Sequence, residues 1–198
     1  MRGTRRGLQR KSLIKRIEYL EYVVSKVINN NRNFEIIFDN YIEMNGDVDN
    51  FADLKELENL DIAPAVTSDS KIMPTLMAQH LEREEDALSQ VSEAFRRTAG
   101  SLEGSVAVVA NAASDPEYLH LALRGSGQGL YVGLADDAYI VASEPYGFVE
   151  RTQRYLRLDG ESAPDRNRNS GPGEIVSLSR SKAGTIEGIT RSSYNGEL

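Results

Sequence analysis

The chain has 198 residues, 40% of them apolar and 27% charged, with a formal net charge of −7 at pH 7. That length fits one domain, or one domain with an appendage, and the composition is that of a globular protein able to bury a real core. The sequence contains no cysteine and only two histidines, which excludes disulfides, thiolate metal sites and a cysteine nucleophile, and leaves no metal constellation; neither a metal nor a cofactor is expected.

The charge is unevenly spread. Residues 1–33 carry nine Lys/Arg against two Glu, and the rest of the chain fourteen Lys/Arg against twenty-eight Asp/Glu. A basic appendage of this kind can contact nucleic acid, an anionic surface or the acidic body, or remain a solvated terminus. No aromatic stacking pattern accompanies the charge, so nucleic acid is not the expected partner. The start MRGTRRGLQRK resembles the n-region of a signal peptide, but Lys15, Arg16, Glu18 and Glu21 interrupt the apolar stretch behind it. No run approaches the roughly 20 apolar residues of a membrane span. With no disulfide to form, a reducing, cytoplasmic location is expected.

Leu13, Ile14, Ile17, Leu20, Val24, Val27 and Ile28 recur at helical spacing, predicting an amphipathic helix over 13–28 whose apolar stripe needs a partner surface. Phe34–Phe38 (FEIIF) reads as a strand, with Tyr41-Ile42 a second beyond an Asp39-Asn40 turn. Asn45-Gly46 comes next, at a strand end. By local sequence it is a hairpin turn. The chemical alternative is an oxyanion site, where an Asn side-chain amide and the next main-chain N–H meet one negative oxygen.

A helix starts at Asp53-Leu54-Lys55, and another is predicted over Lys71–Leu81, with Asp69 or Ser70 as N-cap and Pro74 in its first turn. Asp69 could equally offer its carboxylate to a substrate ammonium group. His80 is expected on a face of this helix. A third helix is predicted over Asp86–Thr98, ended by Gly100. Then come SVAVVA, YLHLALR, LYVGL, AYIVAS, RYLRL and EIVSLS, short apolar runs divided by turn residues. Strands following paired helices predict a largely antiparallel α+β domain. Leu119, Leu121 and Leu123 alternate with His120 and Ala122, which places His120 on a solvated or second-layer face. Arg124–Gly129 (RGSGQG) has the look of a phosphate loop, but a strand comes after it instead of a helix, so a tight strand connection is expected. Residues 164–173 form a polar loop, and the final strand with residues 185–198 closes the sheet.

The order of these motifs resembles the glutaminase domain of glutamine–fructose-6-phosphate amidotransferase (glucosamine-6-phosphate synthase). That is a class II glutamine amidotransferase of the N-terminal-nucleophile hydrolase superfamily. The residues that carry the resemblance are Asn45-Gly46, Asp49-Asn50-Phe51, Leu54 and Thr67-Ser68-Asp69-Ser70, then SLEGSVAVVA, LALRGSGQGLYVGLADDAYIVASEP and RYLRLDGE, in order over about residues 36–178. The LRGSGQ–LYVGL–VASEPYG wording is similar to long actinobacterial-type variants.

The resemblance implies a four-layer α/β/β/α sandwich over 34–198, without the leading strands and with the basic helix as appendage. It implies a glutamine pocket in which Asn45 and Gly46 match the oxyanion hole. Asp69 matches the contact to the α-amino group, and Thr67 and Ser68 line the same site. The family mechanism needs an N-terminal cysteine and a Thr-Arg-Trp loop; this sequence has no Cys and no Trp. Two functions are therefore expected. In one, the chain is a catalytically inactive, glutaminase-like binding or structural module, a homo-oligomer or bound to a partner subunit through residues 13–28. In the other, it is one segment of an active amidotransferase whose nucleophile and sugar-isomerase parts lie elsewhere. Without leading strands the inner sheet keeps an edge open to pairing.

Overall fold

The computed structural model describes residues 40–62, 69–83, 90–162 and 173–194. The helix expected over 13–28, the Phe34–Phe38 strand and the loop over 164–172 lie outside the described residues.

The described elements run in this order: β1 (Asn40–Val48), α1 (Phe51–Leu57), a 3-10 turn (Asp69–Lys71) leading into α2 (Ile72–Arg83), α3 (Gln90–Ser101), β2 (Gly104–Ala112), β3 (Asp115–Arg124), β4 (Tyr131–Leu134), β5 (Tyr139–Ala142), β6 (Tyr155–Arg157), β7 (Glu174–Ser179) and β8 (Ile189–Ser192). The strands make a five-stranded sheet ordered β1-β2-β3-β7-β8 and a three-stranded sheet ordered β5-β4-β6. Every neighbouring pair is antiparallel, as the run of short strands predicts. The RGSGQG segment does connect two strands, β3 and β4.

Strand periodicity sorts the side chains of the larger sheet onto two buried faces. Leu119, Leu121 and Leu123, with Ala107, Val176 and Leu178, pack against Leu130, Val132, Tyr139, Val141 and Leu158 of the smaller sheet and its flanks. On the other side Val106, Val108, Ala110, Ala122 and Ile175 meet Ile72, Met73, Leu76 and Met77 of α2 and Val91, Phe95 and Ala99 of α3. The described residues thus stack as helices, sheet, sheet. They supply three of the four layers of the expected sandwich.

Because β3 lies mid-sheet with helices over one face and strands over the other, its residues from Leu119 to Leu123 are buried on both sides, not half-buried. His120 consequently lies on no solvated face. It is 1% exposed, stacked on Phe95 with ring centroids 5.5 Å apart, and its Nδ1 is 2.9 Å from Ser177 Oγ. His80 is likewise drawn in at the α2–α3 contact, where its Nδ1 lies 3.0 Å from the Thr98 hydroxyl oxygen.

Helix ends differ from the sequence expectation by a few residues. α3 continues through Gly100 to Ser101, so Gly100 is interior and not its terminator. The end is held by Arg124. Its Nη1 donates to the Leu102 carbonyl at 2.6 Å and its Nη2 to that of Gly100 at 3.4 Å, with the guanidinium 4.4 Å from the Tyr194 ring centroid. A cation placed on terminal helix carbonyls satisfies orphan acceptors and complements the helix dipole. Tyr194 in turn donates its hydroxyl to the Leu123 carbonyl at 2.9 Å, and burial pushes that phenol up to about 12. Arg124→Met keeps the stem and removes the charged head. It should cost about 1–3 kcal/mol in urea unfolding, and an unchanged midpoint would show that the cap contributes nothing.

Candidate functional site

The candidate site is built on β1, an outer strand of the five-stranded sheet that pairs with β2. Asn45 and Gly46 do not form a hairpin turn. They sit inside β1, opposite Ala107 and Val106, in a ladder that runs unbroken from Asn40 to Val48. The turn expectation is overturned because an Asn-Gly pair reads as a turn only from its own two residues, whereas a long partner strand here takes up the backbone on both sides.

Gly46 is nonetheless conformationally special. Its φ is +117°, and a Cβ built there would lie 2.0 Å from the Ser105 carbonyl oxygen. Only glycine adopts that backbone without strain and permits that approach. Gly104, across the ladder, shows the same pattern, with φ +114° and a virtual Cβ 2.4 Å from the Asp47 oxygen. Two such glycines thus sit on facing strands, near the exposed Asn45 side chain.

The end of β1 is tied from outside the ladder by Asp69. Its Oδ2 accepts the Val48 N–H at 3.0 Å, two residues beyond Gly46. Asp69 opens the 3-10 turn before α2, and its carboxylate reaches a strand of the sheet. The structure therefore sets Asp69 on Val48, two residues beyond Gly46 in the strand that also carries Asn45. Thr67 and Ser68 lie outside the described residues.

Asn50, part of the Asp49-Asn50-Phe51 motif, acts as a clamp behind this end. Its Nδ2 donates to the Ser101 carbonyl at 2.9 Å, and its Oδ1 accepts the Glu103 N–H at 2.9 Å. One side chain thus joins the turn after β1 to the α3–β2 connection.

The β3–β4 loop completes the surroundings. Gly127 N–H donates to Ser105 Oγ of β2 at 2.8 Å and Gly125 N–H to the Gly160 carbonyl, beyond β6, at 2.7 Å, which pins the loop at two points. From it Gln128 reaches Asn45: Asn45 Nδ2 donates to Gln128 Oε1 at 2.8 Å. Sequence reasoning does not single out Ser105 or Gln128. The one available signal is the polar Gln inside a glycine-rich connection, and nothing local says that it folds back onto a strand 83 residues earlier.

Chemically, the arrangement offers an amide N–H₂, a neighbouring glycine main-chain N–H and a carboxylate along one strand end. Such a set suits a carboxamide oxygen and an ammonium group. Among the described residues no group of three or more His, Asp or Glu is placed to hold a metal ion, and no helix is long and apolar enough to cross a membrane.

No family model matches the chain. In sequence it is similar to a glutamine–fructose-6-phosphate aminotransferase (isomerizing) of Leifsonia xyli subsp. xyli, 33% identical over 114 residues, which is 58% of this chain and 18% of that protein. The aminotransferase of the same name from Streptomyces coelicolor is 29% identical over 126 residues, covering 63% of this chain and 20% of its own length. In structure the chain is similar to glutamine phosphoribosylpyrophosphate amidotransferase of B. subtilis complexed with ADP and GMP. The TM-score is 0.54 and the identity 22%, over 82% of this chain and 30% of that one. The chain is glutamine amidotransferase-like and related to the glutamine–fructose-6-phosphate aminotransferases. It shares the fold of an N-terminal-nucleophile hydrolase amidotransferase. This amidotransferase-like chain spans about a fifth of the length of the sequence relatives it matches.

Proposed function

We propose that this chain is a glutaminase-like module that keeps the ligand-binding side of a glutamine pocket and, as this polypeptide alone, does not hydrolyse glutamine. Asn45 Nδ2 and Gly46 N–H would receive the carboxamide oxygen, and the Asp69 carboxylate the α-ammonium group, with Thr67 and Ser68 beside it. The observation that carries this reading is the placement of Asn45-Gly46 within a strand, at a backbone only glycine adopts freely, with Asp69 hydrogen-bonded two residues along. The sequence has no cysteine, so the covalent thiol route is unavailable to it, and positioning alone supplies little rate.

Calorimetry with L-glutamine tests the pocket, and ammonia release tests the chemistry. We expect binding without ammonia. Asp69→Asn keeps an acceptor for Val48 N–H while removing the charge, and should weaken binding on the order of tenfold, the worth of a charge-assisted hydrogen bond. Heat of binding unchanged in that variant would sink the Asp69 assignment. Steady ammonia production by the unmixed chain would sink the inactive reading.

The short coverage of the sequence relatives supports a second reading, in which the chain is one segment of an active amidotransferase. Ammonia release restored only on mixing with a subunit that carries the nucleophile and isomerase parts would establish it. In either reading the basic residues 1–33 form an appendage to the 34–198 domain, and 13–28 is the surface offered to a second copy or a partner. A native mass measurement on the chain and on its 34–198 fragment checks both statements.

A further inference from the structure

The contact between Asn45 and Gln128 bears directly on the proposed pocket. Asn45 Nδ2 is the side-chain donor that would face a ligand's carboxamide oxygen, and in this structure it donates to Gln128 Oε1 at 2.8 Å. The group it holds is itself a carboxamide, the same chemical group as the side chain of glutamine. Gln128 does not reach Asn45 by chance flexibility: its loop is anchored by Gly127 N–H on Ser105 Oγ and by Gly125 N–H on the Gly160 carbonyl. Ser105 is also the residue whose carbonyl approaches Gly46 closely. One backbone segment therefore both shapes the Gly46 position and carries the loop that delivers Gln128.

We propose that Gln128 is an internal occupant of the site, its side-chain carboxamide taking the Asn45 donor that a bound glutamine side chain would otherwise engage. The inference rests on the reading of Asn45 and Gly46 as the carboxamide-binding pair. A ligand must displace Gln128 from Asn45 before it gains that hydrogen bond, so the competent population is a fraction of the whole and the apparent affinity falls by that fraction. A residue that merely orients Asn45 would act in the opposite sense, since its loss would weaken binding.

The experiment is calorimetric titration of the full chain with L-glutamine, comparing wild type, Gln128→Ala and Gln128→Glu. Removing the internal carboxamide should tighten binding about two- to tenfold, the range of one hydrogen bond at a solvated site. Gln128→Glu puts a charged and stronger acceptor on the Asn45 amide and should weaken binding below wild type. The Asn45 side-chain amide resonance should shift in Gln128→Ala, which reports the contact directly. Wild-type affinity retained by Gln128→Ala, or weaker binding in it, overturns internal occupancy and leaves the glutamine pocket standing. Binding by none of the three proteins overturns the pocket itself, and this inference with it. An Asn45 resonance that stays in place in Gln128→Ala shows that the contact is not formed, and the proposal falls.

Discussion

Gly46→Ala should destabilise the protein by about 3–6 kcal/mol, enough to unfold a domain of ordinary stability. Two separate costs combine. The backbone at φ +117° strains any residue with a Cβ, and the added methyl would lie 2.0 Å from the Ser105 carbonyl oxygen. That neighbour is backbone inside a paired strand, so it cannot swing aside as a flexible side-chain end would. β1 and β2 would have to part locally, which also disturbs the Asn45 amide. Gly100→Ala provides the contrast. Gly100 lies within α3, its φ is not positive, and its virtual Cβ meets nothing closer than 3.5 Å. There the substitution should raise stability by roughly 0.5–1 kcal/mol, the helix-propensity difference between the two residues. Chemical denaturation of the two variants tests the argument together; a mild Gly46→Ala phenotype would mean that the strand relaxes around the methyl group.

Acid should weaken the fold through His120 before it affects most carboxylates. Burial against Phe95 disfavours the imidazolium and lowers this histidine from its ordinary 6.5 to about 4. Its Nδ1 lies against Ser177 Oγ, and its Nε2 has no hydrogen-bond partner among the described residues, so the imidazolium would carry an Nε2–H with nothing to bond. The folded value is depressed, so between about pH 6.5 and 4 the unfolded chain binds the proton more readily than the native one. Stability is then full above pH 6.5 and declines as the pH falls towards 4, by on the order of 3 kcal/mol across the window. Glu93 acts at lower pH. Its hydrogen bonds and charge contacts with Arg96 and Arg97 outweigh partial burial and hold it at about 2, so its contribution is lost only as the pH falls below the ordinary glutamate range. His120→Leu keeps an apolar group against Phe95 and removes the titration. The stability difference between variant and wild type should therefore change by about 3 kcal/mol from pH 7.5 to pH 4. Parallel curves for the two proteins would show that His120 is not the acid-sensitive group.

Much of the architecture was legible from local pattern. Alternation marked Leu119, Leu121 and Leu123 as one face of a strand, and they do share a face. The strand after RGSGQG distinguished a connection from a phosphate loop, and the string of short apolar runs marked an antiparallel sheet. These features depend on neighbours two to four residues away, which is the range that strand and helix periods encode.

What local pattern cannot encode is what covers each face and which distant segment meets it. Nothing near His120 says that α3 roofs its side of β3. The Asn-Gly pair alone favours a turn, because such a pair is common in hairpins; only β2, about sixty residues later, makes it strand. The same limit hides the Asp69–Val48 bond and the Gln128–Asn45 contact, which join residues 21 and 83 positions apart. Apolar spacing determined the antiparallel class and the order of the elements, and the succession of motifs carried the resemblance to an amidotransferase. Tertiary pairing alone decided that Asp69 meets Val48 and that Gln128 meets Asn45, because long-range hydrogen bonds exist only once the strands have met.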